Sequence, residues 1–188
     1  SRRVRAQDLD PPAGIEAVLS RAAAGVARAQ SWTEWQQKIA SEAPSLLVML
    51  PHSLDSPDFP GIPALEINGT NLASVNLDRD FVAADPAGAP MVLLLGCSTA
   101  LPRIPFLNFV GEFKDNGAAV VIGTIALIRG RQTGDFVGAL LSALRAAAGT
   151  GGTFDDVLLR VKRRLLAAGD PFVLSLMAYG DTGWHIEA

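Results

Sequence analysis

The sequence is poor in sulfur and in charge. It holds a single cysteine, Cys97, so no disulfide can form within the chain, which fits a reducing compartment such as the cytoplasm. Charged residues make up 19% against 49% hydrophobic ones, a balance that excludes intrinsic disorder. The net charge of −3 offers no general attraction to nucleic acid. No apolar run approaches the ~20 residues of a membrane-spanning helix. The basic start, Ser1-Arg2-Arg3-Val4-Arg5, lacks the apolar stretch of a signal peptide. Histidine is scarce as well, with only His52 and His185. No G-x-G-x-x-G or Walker-type lysine is present, which argues against a nucleotide site. Nothing in the pattern calls for a metal or a cofactor.

What is present is an alternation of helical and strand-like segments over 188 residues, enough for one substantial core. Ile15, Val18, Leu19, Ala22 and Val26 follow helical spacing and predict a helix over 14–29. A second helix is predicted from Ser31, whose Ser31-Trp32-Thr33-Glu34 start has capping-box form, with Trp32, Trp35 and Ile39 on one face. Four continuous apolar runs then read as buried strands: Leu46 to Leu50, Met91 to Leu95, Ala118 to Ile125 and Phe172 to Met177. Between them lie helical stripes. These are Phe106, Phe109, Val110 and Phe113, closed by Asn116-Gly117; Phe136, Leu140 and Leu144; and Phe154, Val157, Leu158, Val161 and Leu165, capped by Thr153 and ended by Gly169. This order predicts an α/β fold, a mostly parallel sheet with helices on both faces. The proline-rich segment 51–90 interrupts it, and Leu65-Glu66-Ile67 followed by Asn68-Gly69 predicts a small β-hairpin there.

Sites in open α/β sheets form beyond the carboxyl ends of the strands. Pro51-His52-Ser53 follows the first predicted strand, and Gly96-Cys97-Ser98-Thr99 follows the second. The chain's only cysteine and one of its two histidines are thus expected on one edge of the sheet. A thiolate is the attacking form of cysteine, and a neighbouring imidazole can take its proton and later hand it to a leaving amine. A helical segment after Cys97 would favour the thiolate further. A lone cysteine or histidine is ordinarily a packing residue; the two together, each directly at a strand end, point to function. His185, near the C-terminal end, is expected to be a surface or packing residue. Arg160, Lys162, Arg163 and Arg164 are expected to form a solvated helix face. Glu112, Asp135 and Asp181 are expected to be solvated charges or caps, with pocket lining as their alternative role.

The order of these elements resembles the caspase-like (clan CD) cysteine peptidases, in which a strand ending in His precedes a strand ending in Cys. Here Cys97 follows His52 by 45 positions, near the ~50 of caspases. Three stretches are similar to the CHAT subgroup: Leu65-Glu66-Ile67-Asn68-Gly69 with Leu72, Val92-Leu93-Leu94-Leu95-Gly96-Cys97-Ser98-Thr99, and Phe109 through Thr124. The ending from Phe172 to Trp184, with Tyr179-Gly180-Asp181, is similar too, and the resemblance covers about residues 45–188. It implies a caspase-like three-layer α/β/α sandwich with a hairpin excursion after the His strand. It implies His52 as general acid/base, Cys97 as nucleophile, and the backbone N–H groups of Ser53 and Cys97 as the oxyanion hole. Serine stands at 53 where the family usually has glycine, and glycine at 96 where it often has alanine. The implied activity is cleavage of a peptide or protein substrate, with a regulatory or repeat region as partner and neither nucleic acid nor membrane. Residues 1–44 are then the helical end of a larger upstream region. The alternative is an inactive caspase-like module that binds proteins.

Overall fold

A computed structural model describes residues 17–19, 26–84, 88–96, 99–100, 108–126, 130–148, 150–181 and 184; at His52, Ser53, Gly130 and Arg131 it describes the backbone alone. The chain divides into two compact units, the larger spanning Ala27–Leu127 and Ser175–Asp181.

In the larger unit, α1 runs from Trp32 to Glu42. Its start matches the capping-box expectation with one change. Ser31 Oγ accepts the Glu34 N–H at 3.1 Å, but the Glu34 carboxylate reaches back to the N–H of Gln30 rather than to that of Ser31. Two indoles tie α1 down: Trp32 Nε1 donates to the Thr70 carbonyl and Trp35 Nε1 to the Phe81 carbonyl, each at 2.9 Å. These tryptophans keep their polar edge satisfied while their rings stack edge-on with one another and Trp32 with Phe81.

The main sheet holds β1 (Leu46–Met49), β5 (Met91–Leu94), β6 (Val120–Thr124) and β7 (Leu176–Gly180), in the order β1-β5-β6-β7. The pairs β1/β5 and β5/β6 are parallel, and β6/β7 is antiparallel. The fold is therefore α/β with a mostly parallel sheet, as the alternation predicts. Every residue of β5 and β6 is buried, the expected state of strands covered on both faces. β1 lies at the edge of the sheet and alternates between half-buried and buried. Leu47, Met49, Val92, Leu94 and Val121 join Trp32, Ile39, Leu65, Leu72, Phe109, Val110 and Phe113 in one core.

A second, antiparallel sheet holds β2 (His52–Asp55), β3 (Pro63–Ile67) and β4 (Thr70–Ala73). The β3–β4 hairpin turns at Asn68 and Gly69, whose φ values of 46° and 79° are those of the mirror-image turn an Asn-Gly pair predicts. Helix α2 (Phe109–Asp115) begins at the Asn108 cap, whose side chain accepts the Gly111 N–H, and packs on β6 and β7.

The last strand departs from the prediction. Of the predicted run Phe172 to Met177, only Leu176 and Met177 are strand. Pro171–Ser175 forms a 3-10 turn, and β7 follows it. The Asp170 carboxylate accepts the Phe172 N–H at 3.0 Å, an Asx turn that curls the chain before the strand starts. Leu174, apolar but 62% exposed, belongs to that turn. The helix expected over 14–29 is described as helical at 17–19 and as irregular at 26–29.

In the smaller unit, α3 (Gly130–Ala147) packs against α4 (Phe154–Ala167). Thr153 caps α4 as expected, accepting the Asp156 N–H and donating to the Asp156 carboxylate. Gly169, at φ 87°, supplies the left-handed residue after α4. Phe136 meets Phe172 edge-on, and Phe154 meets Trp184 in the same way.

Candidate functional site

The site is built where β1 and β5 end. Their register is Leu46 with Met91 through to Met49 with Leu94. The Leu95 N–H extends the ladder by one bond, to the Met49 carbonyl at 2.9 Å. His52 and Cys97 each lie three positions beyond the last pair. Cys97 and Ser98 themselves lie outside the described residues, as does His185.

The residues immediately before the two candidates touch. Gly96 and Pro51 are both buried. A Cβ built on Gly96 would fall on the carbonyl oxygen of Pro51, 2.9 Å from its Cγ and 3.0 Å from Thr99 Cγ2. This explains glycine at 96: alanine there would drive its methyl into a backbone that has no rotamer with which to yield.

His52 does not sit in a loop. It opens β2, opposite Glu66 of β3. Sequence reading anticipated the hairpin of β3 and β4 but not this third strand. The Ser56 N–H bonds the Ile62 carbonyl at 2.8 Å, which fixes the phase of the β2/β3 ladder. Residues that exchange backbone bonds alternate along an antiparallel strand. His52, Leu54 and Ser56 therefore turn their backbone groups towards β3, while Ser53 turns its N–H away from it. Pro63, opposite Asp55, has no N–H to donate, which agrees with this phase. The expected oxyanion donor at Ser53 thus points off the sheet to which its strand belongs.

On the far side of β5, two buried threonines gather the chain around position 97. Thr99 Oγ1 donates to the Leu94 carbonyl at 2.6 Å, and the Thr124 N–H donates to Thr99 Oγ1 at 3.1 Å. Thr124 Oγ1 donates to the Gly96 carbonyl, and the Ala100 N–H donates to the Thr124 carbonyl at 2.9 Å. Sequence reading quoted Thr99 only as part of the Gly96-Cys97-Ser98-Thr99 turn and gave neither threonine a role of its own. The available signal was a polar residue closing the buried strand Val120–Thr124, since buried hydroxyls are there to be hydrogen-bonded.

Most of the remaining charged candidates are exposed as expected, but Lys162 and Glu112 are half-buried. Arg160, Arg163 and Arg164 are exposed along α4, with Lys162 half-buried, and Arg160 Nε donates back to the Asp156 carbonyl. Asp135, on α3, is exposed and borders an open depression with Gln132, Gly169 and Asp170. Asp181 is exposed. Glu112, half-buried in the first turn of α2, has its pKa pushed above the usual glutamate range, first by desolvation and then by the nearby Asp115 carboxylate. Helix α2 starts at Phe109 and is not the segment that directly follows Cys97; the residues at 101–107 lie outside the described ones. Among the described residues, no group of His, Cys, Asp and Glu side chains is arranged to hold a metal ion. No helix among them is long and apolar enough to cross a membrane.

No protein-family model matches the chain, and no curated protein matches it.

Proposed function

We propose that this chain is a cysteine peptidase of the caspase-like CHAT type, with Cys97 as nucleophile and His52 as general acid/base. The observation that carries the reading is the parallel register of β1 and β5 together with the backbone contact between Pro51 and Gly96. Each candidate directly follows one member of that touching pair, which supports the reading. The reading includes a three-layer α/β/α sandwich, a cytoplasmic setting, and a regulatory region in the same or a partner protein.

The chemistry is that of acyl transfer. His52 takes the proton of the Cys97 thiol, and the thiolate attacks the carbonyl carbon of the scissile peptide. The carbon–sulfur bond forms as the carbonyl π electrons move onto oxygen. The N–H groups of Ser53 and Cys97 serve that oxyanion. The carbon–nitrogen bond then breaks, and the imidazolium of His52 gives its proton to the departing amine. Water, deprotonated by His52, attacks the thioester; the acid product leaves and the thiol regains its proton. Serine at 53 is compatible with this role because the donor is backbone.

Alkylation with iodoacetamide across pH tests the reading, since Cys97 is the only thiol. The expected result is a reactive thiolate well below the ~8.5 of a free cysteine, with that reactivity lost in His52→Ala. A thiol that titrates as an ordinary one, unchanged by His52→Ala, sinks the peptidase and leaves the protein-binding module.

A further inference from the structure

We infer that Thr99 and Thr124 are positioning residues for Cys97. The inference rests on the reading of Cys97 as the nucleophile, and it concerns what holds that residue in place.

A threonine hydroxyl carries one proton and can accept through its lone pairs. The proton of Thr99 goes to the Leu94 carbonyl, and that of Thr124 goes to the Gly96 carbonyl. Thr99 Oγ1 still accepts the Thr124 N–H. The two hydroxyl oxygens lie 3.4 Å apart, and each hydroxyl meets a carbonyl of the segment that leads to the nucleophile. The Ala100 N–H to the Thr124 carbonyl completes the set.

The chain on both sides of Cys97-Ser98 is therefore fastened to a single residue at the end of β6. Gly96 is held through its carbonyl, Thr99 through its hydroxyl and Ala100 through its N–H. Two residues span the interval between the anchors. The network is sheltered from competing water: Thr99 is 4% exposed and Thr124 is 0% exposed. Gly123 makes room for it, since a Cβ there would come within 2.9 Å of Ala100 Cβ and 3.3 Å of Thr99 Oγ1. Gly96, the first of these anchored residues, also meets the Pro51 backbone.

The experiment reads the pH profile of Cys97 alkylation in intact protein. Thr124→Val keeps the shape of the side chain and deletes the hydroxyl. Its expected effect is a profile moved towards that of an ordinary thiol, with alkylation at pH 7 slowed about fivefold or more, a loss in thiolate fraction of a little under one pH unit. Thr99→Ser and Thr124→Ser keep the hydroxyl and lose a buried methyl. They are expected to melt at lower temperature and yet retain the wild-type profile. A purely structural role would lower melting temperature in all the variants and move the profile in none.

A folded Thr124→Val protein, judged by near-ultraviolet circular dichroism, that titrates like wild type overturns the inference. So does a shifted profile in the serine variants, which would trace the effect to packing rather than to the hydroxyl. If Thr124→Val does not fold, Thr99→Val, which deletes the hydroxyl that serves the Leu94 carbonyl, is read by the same criterion in its place. Failure of the peptidase reading is seen separately, in wild-type protein, as a Cys97 profile that does not depend on His52.

Discussion

Met49 and Leu94 are partners in register on adjacent parallel strands, and the two candidate catalytic positions follow them at equal distance. Equal offsets from a shared register matter because a strand advances ~3.3 Å per residue. A slip of one residue in either strand would leave the two candidate positions at unequal distances from the shared register.

Gly96→Ala is expected to destabilise the protein by about 1–3 kcal/mol, the range for overpacking a filled interior. The added methyl meets the backbone of Pro51. Urea unfolding gives the stability. On the peptidase reading, alkylation of Cys97 slows as well, because relief of the clash separates the ends of β1 and β5.

Trp32→Phe removes the indole donor that serves the Thr70 carbonyl. Part of the packing against Phe81 goes with it. The expected loss is about 2 kcal/mol, from a missing hydrogen bond and a void. Because α1 loses its anchor on the hairpin, amide exchange should quicken in Trp32–Glu42 before it does in β5 and β6. Equal acceleration throughout would count against a local anchor.

Gly69→Ala is expected to cost about 1 kcal/mol through backbone strain alone. A Cβ there meets nothing within 4 Å, yet φ is 79°. Gly69→Asn, better suited to left-handed backbone, should recover much of that loss. Thermal melting of the two variants side by side measures the difference.

Glu112 binds its proton more tightly in the folded chain than in the unfolded one. The folded state therefore holds the extra proton as pH rises from the ordinary glutamate value, 4.5, towards the raised one, and stability falls across that window. Glu112→Gln should flatten this part of the pH–stability curve and leave the variant more stable than wild type above it. Denaturant midpoints between pH 4 and pH 8 provide the measurement.

The fold was legible where apolar periodicity was strong. Met91 to Leu95 and Ala118 to Ile125 contain β5 and β6 with boundaries off by one or two residues, because fully buried strands read as unbroken apolar runs. The Thr153 cap and the Asn68-Gly69 turn were legible for a different reason, since both depend on chemistry local to a few residues. Two elements were hidden. β2 begins with polar residues and leaves Leu54 41% exposed, so no alternation marks it. The apolar start at Phe172 conceals a turn set by one Asp170 hydrogen bond. For the site, the sequence offered the residue types and their order. What it withheld is pairwise and long-range: the identity of adjacent strands, the contact of Pro51 with Gly96, and the two threonines 25 positions apart that share a hydrogen bond.

The approach of Gly96 to the Pro51 carbonyl makes positions 51 and 96 a unit of descent. Neither can drift alone: a side chain acquired at 96 requires a backbone already withdrawn at 51, and a withdrawn backbone at 51 leaves a gap until 96 fills it. Homologous chains with alanine before the cysteine should accordingly differ in the path they take out of the histidine strand. Across a lineage the two positions should change together, although they lie 45 positions apart.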